Sequence, residues 1–313
     1  MNQHGFHQTY ETQPSRIMFL NSKDGEKYAN SCHFSYVFRE GIEISSTEGV
    51  FLVSLVSVSI PYSFYNIREN LNDTIKVTLS DGNDNHSSSL VIPPGNYTAT
   101  TLATKLKEKI EAFASGPTVD LPTTVTITHN KTTQKFKFVI SQHTLVLHFG
   151  NVTSTLHSEL GFDGTTDANA LTPLTSLTST NVADVAASVH GVYVRTSLST
   201  RSVMDSQTGG ISDILTKIDI NTNPGGIISL DPAQATHESL IFTKHIKDIY
   251  IRITDERDRL LDLNGLDLQI ALKFRFVARR SGNPVQEIVQ APPQLTKNQE
   301  KKKRKNKTST KSK

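Results

Sequence analysis

The chain has 313 residues, enough for one or two domains, with 36% apolar residues, 20% charged residues and no Trp. Its single cysteine, Cys32, excludes an internal disulfide framework, and the strongest apolar run, residues 50–60, is too short to span a bilayer as a helix. The net charge of +3 comes from the last thirteen residues, which carry eight Lys or Arg and no acid, whereas the first 300 residues have a net charge of −5. The folded body is therefore not an obvious polyanion binder.

Residues 15–70 show the alternation of apolar and polar side chains that is typical of strands. One strand is predicted at 32–38 and a second at 50–60, where Pro61 ends it because proline cannot donate to a sheet ladder. The first sixteen residues lack the basic and apolar regions of a signal peptide. We therefore expect synthesis in a reducing compartment. The apolar, strand-like residues around Cys32 predict a buried thiol.

Residues 71–162 predict a small α/β unit. Apolar alternation at 75–79 and 90–92 around Asp81-Gly82 predicts a hairpin, and a change to helical periodicity predicts a helix at 98–114. Three further strand patterns, near 125–127, 136–140 and 145–149, predict a three-stranded meander. A short helical turn should then end at Gly161 in a left-handed conformation.

Residues 163–189 are small and polar with weak periodicity, which indicates a linker or long loop. Strand patterns return in residues 190–280, most clearly at 249–253 and 268–276. Residues 281–313 are polar, contain proline and end in a basic run, so we expect a flexible basic tail.

These patterns predict a mainly β fold. The two outer segments, 15–70 and 190–280, supply about eight strands, which suits a single antiparallel jelly-roll sandwich, and the absence of regular βαβ alternation argues against a parallel sheet. The α/β insertion domain, 71–162, interrupts the sandwich, and a disordered basic C-terminal tail follows it.

The candidate metal-binding and catalytic motifs favour structural interpretations. No His pair shows HExxH spacing, and His143 and His148 form at best a weak metal pair. The loop at Asp81 begins like a calcium loop, but His86 replaces the required glycine. The acidic residues within 255–262 alternate with arginines, which indicates solvated charge or an intersubunit ion pair. We therefore expect no enzymatic activity, no cofactor and no bound metal.

The basic tail is the exception, because clustered cations can neutralise phosphates whatever the base sequence. A solubilising tail and a nuclear-import signal are equally compatible with it. The candidate nucleic-acid-binding residues are Lys301, Lys302, Lys303, Arg304, Lys305 and Lys307.

Three motifs resemble the penton, or minor capsid, proteins of virophages and polinton-like viruses. They are SLVSVSIPYSFYNI at 54–67, IPPGNYTATTLATKL at 92–106 and SELGFDG at 158–164, and the closing strands to residue 278 are also similar. The resemblance implies a jelly roll with an insertion, five copies of which form each vertex of an icosahedral capsid beside the major capsid protein. The basic tail departs from the family pattern.

Alternative functions follow from the same features. Residues 71–162 could be a receptor- or glycan-binding module on a β stalk, a role compatible with a vertex protein. A nucleic-acid-binding protein acting through the tail is disfavoured by the acidic body. The resemblance favours a virion location, a homopentamer and the major capsid protein as partner. The charge of the tail adds genomic DNA as a candidate partner, and the insertion domain adds a host receptor.

Overall fold

The computed structural model describes residues 15–43, 49–166, 169–173, 175–185, 189–198, 203–230, 237–241, 243 and 245–278. These residues are mainly antiparallel β, as the alternating patterns predict. They contain two hydrophobic cores, one built by the outer segments of the chain and one by the stretch between them.

The first core lies between two five-stranded sheets. The first sheet consists of β1 (Ser15–Asn21), β4 (Gly49–Pro61), β16 (Ile227–Ser229), β17 (Ser239–Ile241) and β19 (Gln269–Ala278). Their order is β1, β19, β4 and β16, and β17 also pairs with β4. Since β16 pairs with the end of β4 and β17 with its beginning, the two short strands together form one interrupted row.

The second sheet consists of β2 (Glu26–Lys27), β3 (His33–Glu43), β12 (Val192–Thr196), β15 (Ile214–Ile218) and β18 (His245–Thr254). Their order is β15, β12, β18, β3 and β2, with every pair antiparallel. A small hairpin, β13 (Met204–Asp205) and β14 (Gly210–Ile211), lies between β12 and β15 in sequence.

Alternation in the strands places apolar side chains between the two sheets. Ile249, Ile251 and Ile253 of β18 are fully buried, and Leu272 and Phe274 of β19 pack in the same core. Cys32 is also buried there, as predicted, and burial raises the pKa of its thiol. A thiol that stays protonated at neutral pH is unreactive, so Cys32 acts as a small apolar residue.

The second core is formed by residues that follow β4 and precede β12. One sheet contains β5 (Thr74–Ser80), β6 (Asn85–Val91), β9 (Thr144–Leu147) and β10 (Asn169–Leu171), in the order β10, β9, β5 and β6. The other contains β7 (Val125–Asn130), β8 (Lys135–Ile140) and β11 (Ser176–Thr178), in the order β11, β8 and β7.

Helix α1 (Ala99–Ala114) covers this second core, and the prediction of a helix at 98–114 is confirmed. Thr98 caps its N-terminus, since the Thr98 and Thr101 side chains each accept a hydrogen bond from the other's backbone N–H in a capping box. Leu102, Leu106 and Ile110 are fully buried on one face. A second helix, α2 (His157–Leu160), ends at Gly161 with φ of 74°, which confirms the predicted left-handed end.

The predicted three-stranded meander is wrong in its third strand. β7 and β8 form a hairpin, but β9 pairs with β5, in register from Val77 opposite Leu147 to Ser80 opposite Thr144. The free edge of β8 is instead occupied by β11, which leaves β9 to extend the other sheet.

The segment at 163–189, interpreted from the sequence as a linker or long loop, carries β10 and β11 within its described residues. β10 pairs with β9, and β11 pairs with β8. Leu171 and Val185 are buried in the second core. The residues that form this core therefore extend beyond residue 162.

Candidate functional site

The nucleic-acid-binding candidates, Lys301 to Lys305 and Lys307, lie outside the described residues, as does the whole predicted tail from residue 281. Their role stays a prediction. Within the described part of the chain, polar side chains form hydrogen-bond and ion-pair networks in two places. One is the junction between the two cores, and the other is the outer face of the second sheet of the sandwich.

Two of the motifs singled out in the sequence meet at the junction. Backbone N–H of Asn66 donates to Oδ1 of Asn96 at 3.0 Å, and backbone N–H of Tyr97 donates to Oδ1 of Asn66 at 2.8 Å. Nδ2 of Asn66 donates to the carbonyl oxygens of Tyr97 and Val185, at 2.7 and 2.8 Å. The motif side chains thus tie the exit from β4 to the segment that begins α1, which is a structural role.

The third motif, 158–164, contributes a buried carboxyl group. Nδ2 of Asn72 donates to Oε1 of Glu159 at 2.6 Å, and the Ser158 hydroxyl donates to Oε2 at 2.8 Å. Burial raises the pKa of Glu159, and these two hydrogen bonds only partly oppose that effect. Glu159 therefore titrates above the ordinary range of glutamate.

A buried ion-pair network joins the junction to the sandwich. Asp255, which follows β18, is fully buried and accepts from Nη2 of Arg68 at 2.9 Å and from Nε of Arg259 at 2.7 Å. Its Oδ1 accepts two backbone N–H groups, those of Arg257 and Arg259, both at 2.9 Å. The interpretation of the 255–262 cluster as solvated charge is therefore wrong for Asp255, because the turn folds its carboxylate inward against two arginines.

No sequence pattern pointed to Arg68, which lies in no charged cluster. Its Nε and Nη1 atoms are buried, and no described residue forms a hydrogen bond with either of them. Burying unpaired donors costs free energy, and the ion pair with Asp255 is the interaction that offsets this cost.

A second charged network lies on the outer face of the second sheet. Arg195 of β12, only 4% exposed at its side chain, lies opposite Arg252 of β18 in the strand register. Asp213 and Asp258 each bridge the two arginines, with N to O distances between 2.7 and 3.1 Å. Burial raises the pKa of Asp213, but the hydrogen bonds and positive charges of both guanidinium groups lower it by a larger amount, so the net shift is downward.

The sequence missed Arg195 as well. One sequence feature could have identified it. Arg195 is a charged residue in the otherwise mostly apolar strand VYVRT, and a charged side chain in a buried strand requires an ion-pair partner. Asp258 belongs to the cluster seen in the sequence, but its partner choice depends on the turn that brings it back over β12 and β18.

The histidine and calcium-loop candidates form no binding site in the described residues. Nε2 of His148 lies 2.8 Å from the Thr78 hydroxyl, and Oδ1 of Asp81 accepts backbone N–H groups of Asn83 and Asp84. Among the residues that the structure describes, no group of three or more His, Cys, Asp or Glu is placed to hold a metal ion. No helix in the same residues is long and apolar enough to cross a membrane.

Both sheets of the sandwich carry apolar side chains on their outer faces. In β1, Ile17 and Phe19 alternate with core-packed residues, and Phe19 is 80% exposed. In the second sheet Val37 is 68% exposed, and Tyr250 lies on the same outer face, since Val37 is opposite Asp248 and Ser35 is opposite Tyr250. Neighbouring exposed apolar side chains that form a contiguous patch are typical of surfaces that another molecule covers.

Comparisons with known proteins gave structural matches only. No protein-family model and no curated protein sequence matches the chain. The mavirus penton protein is similar to this chain with a TM-score of 0.46 and 13% identity, over 84% of this chain and 100% of that one. A chain of the Sputnik virophage structure, determined by cryo-EM, is similar with a TM-score of 0.43 and 12% identity, over 85% of this chain and 98% of that one.

Proposed function

We propose that this chain is a non-enzymatic capsid subunit whose sandwich is a single jelly roll and whose five-fold assembly forms the vertex of an icosahedral DNA-virus capsid. The major capsid protein is its expected neighbour, and the virion its location. The three motifs that resemble penton proteins support this proposal, and so do the order of strands and the chemistry of the outer faces.

The strand order supports the jelly roll. Taken in chain order, the sandwich has eight rows, with β16 and β17 counted as one row and the short β2 left aside. The first row pairs with the eighth, the second with the seventh, the third with the sixth and the fourth with the fifth. Nested antiparallel pairing of this kind is what results when one long hairpin rolls up into two sheets.

The observation that carries the assembly role is the pair of unlike apolar outer faces. One contains Ile17 and Phe19 on the edge strand β1, and the other contains Val37 and Tyr250 near the charged network of Arg195. A closed ring requires a heterologous interface, in which two different surfaces of the subunit complement each other. A monomer leaves both faces in water, whereas each subunit of a ring covers both with its two neighbours.

The charged side chains support a structural role over catalysis. Arg195, Arg252 and Arg259 are each engaged by aspartates in ion pairs, and Asp255 is enclosed by hydrogen-bond donors. A catalytic group needs access to a substrate and a free lone pair or proton.

The experiment is the native mass of the full-length protein, alone and mixed with the major capsid protein. We expect a particle of five times the 34.6 kDa chain mass under at least one of these conditions. Phe19→Asp should abolish that particle without changing the melting temperature, because Phe19 makes few contacts within the chain. The control is Val152→Asp, an even more exposed apolar site in the insertion, which should leave the particle intact.

A stable dimer or hexamer under both conditions would contradict the proposal. So would a pentamer that forms equally well with Phe19→Asp and is lost with Val152→Asp, because the insertion and not the sandwich would then make the ring.

A second proposed function concerns the tail. Eight Lys or Arg among the last thirteen residues, with no acid, favour salt-sensitive binding of nucleic acid. The acidic net charge of the first 300 residues makes the tail the part of the chain that would carry such binding.

A further inference from the structure

A cavity of about 640 Å³ opens between the sandwich and the start of helix α1, in a size range that is usual for small-molecule sites. Tyr62, at the end of β4, lines one side, and Asn96 and Tyr97 line another. The loop before β16 closes it with Thr222, Asn223 and Pro224. The penton-like motifs at 54–67 and 92–106 therefore both contribute side chains to the cavity.

Tyr62 brings an accessible hydroxyl group on a mostly buried side chain to this cavity. The residue is only 8% exposed, and its ring packs against Phe64 with 4.5 Å between ring centroids. Its hydroxyl forms no hydrogen bond with any residue in the described part of the chain. Burial raises the pKa of Tyr62, so the group remains a hydrogen-bond donor at neutral pH. A hydroxyl that the chain leaves unpaired is available to donate to, or accept from, a molecule bound in the cavity.

The remaining lining is uncharged apart from one histidine. Among the described residues that line the cavity there is no Lys, Arg, Asp or Glu. Besides two tyrosines, Tyr62 and Tyr97, the lining contains His190, whose ring nitrogens lie 3.5 Å from Asp184 and 3.6 Å from Glu256. A ligand with a net charge would find no counter-charge here, so the cavity suits a neutral molecule.

The polar groups that face the cavity are amides and hydroxyls, which both donate and accept hydrogen bonds. The side-chain amide of Asn223 forms no hydrogen bond with a described residue, and Nδ2 of Asn96 is likewise free while its Oδ1 accepts from Asn66. Between these groups lie apolar surfaces from Tyr97, Val189 and Ile220. This combination of lining groups matches a sugar ring. The hydroxyls of a sugar both donate and accept hydrogen bonds, as the polar lining does, and its C–H faces are apolar, as the rest of the lining is.

We propose that this cavity binds a neutral sugar residue, with the Tyr62 hydroxyl and the Asn223 amide bonded to sugar hydroxyls and the Tyr97 ring against an apolar sugar face. The proposal goes beyond the capsid role and does not depend on it, because the site lies within one subunit. It places carbohydrate recognition at the junction, instead of on the insertion alone.

The test is saturation-transfer NMR on the full-length protein with D-glucose, D-galactose, D-mannose and N-acetyl-D-glucosamine as separate probes, and with 3′-sialyllactose as a charged comparison. We expect saturation transfer to at least one neutral sugar, and a weaker signal from the sialic acid protons than from that sugar. Tyr62→Phe removes only the orphan hydroxyl and should weaken binding roughly threefold to tenfold, the worth of one hydrogen bond, without lowering the melting temperature.

Asn223→Ala should weaken binding similarly, and it keeps the proposal testable if Tyr62→Phe disturbs folding, because Asn223 is exposed. The matched control is Tyr65→Phe, the same substitution at a half-buried tyrosine that does not line the cavity, which should bind as the unmodified protein does. Absence of transfer to all four neutral sugars would overturn the proposal, as would a Tyr62→Phe and an Asn223→Ala variant that both bind with unchanged affinity.

Discussion

Arg68 and Asp255 are 187 residues apart in sequence, yet Nη2 of Arg68 donates to Oδ2 of Asp255 at 2.9 Å in a buried ion pair. Arg68 precedes the first strand of the insertion, and Asp255 follows β18 of the sandwich. The contact therefore fastens the two hydrophobic cores to each other. Because both side chains are withdrawn from water, its energetics should differ from those of a surface pair.

Asp255→Asn should destabilise the protein by about 3–5 kcal/mol, since it leaves two arginines without their buried counter-charge. Arg68→Met should cost less, because Asp255 keeps Arg259 and two backbone N–H groups, and two orphaned donors of Arg68 disappear. Urea unfolding measures both. Lys105→Ala, which breaks an exposed pair with Glu108, is the control and should leave the unfolding midpoint unchanged. Equal losses from Asp255→Asn and Lys105→Ala would refute a buried role.

Stability should fall as the pH drops below the ordinary aspartate value of 3.8. The pKa values of Asp213 and Asp255 are lowered in the folded protein, because arginines and hydrogen bonds outweigh the effect of burial. Their stabilisation is thus present above 3.8 and lost as the pH falls through the lower folded values. Urea midpoints measured from about pH 6 to pH 3 check this. The difference between the unmodified protein and Asp213→Asn should shrink toward pH 3; a constant difference would contradict it.

Glu159 should show the opposite dependence. Burial raises its folded pKa above the ordinary value of 4.5, so its stabilising contribution is present below 4.5 and lost as the pH rises through the folded value. Glu159→Gln can still accept from Asn72 and carries no charge to desolvate. We expect the variant to be at least as stable as the unmodified protein at pH 7, by urea unfolding. A variant less stable at pH 7 but equal at pH 4 would show that the buried charge is favourable.

The insertion should fold by itself, but residues 66–185 should do so better than residues 71–162. The longer fragment keeps β10 and β11, and with them Leu171 and Val185 of the second core. We expect both fragments to melt cooperatively by circular dichroism, with a lower midpoint for the shorter one. Random-coil spectra for both would refute an independent domain, and equal midpoints would show that β10 and β11 contribute nothing.

Removal of the tail should separate folding from nucleic-acid binding. Truncation after Gln299 removes eight positive charges and should leave the melting temperature unchanged while it abolishes binding to double-stranded DNA at low salt. Fluorescence anisotropy with increasing salt measures the effect. A full-length chain that carries serine in place of Lys301, Lys302, Lys303 and Arg304 is the control for length, and it should bind more weakly with a smaller salt dependence. Unchanged DNA affinity after truncation would refute the role of the tail.

The local pattern of residues was sufficient for the secondary structure that depends on neighbours in sequence. Alternation identified β3, β4, β18 and β19, the Asp81-Gly82 turn identified the hairpin of β5 and β6, and helical periodicity identified α1. The position of Gly161 even identified how α2 ends, because a left-handed residue after a helical turn is a local requirement. Burial of Cys32 followed in the same way from its apolar surroundings.

The choice of partners was decided by the tertiary structure. An alternating pattern states that β9 has one buried face, but not whether it lies beside β8 or β5, because either pairing buries Leu145 and Leu147. The weakly patterned β11 took the edge of β8, and only the folded chain reveals that competition. The burial of Asp255 depended likewise on Arg68, a residue too distant in sequence to register in any local pattern. Local sequence patterns therefore determined the helices and the strongly alternating strands, whereas long-range pairing determined the short strands β10 and β11, which carboxylates became buried and which cavities formed.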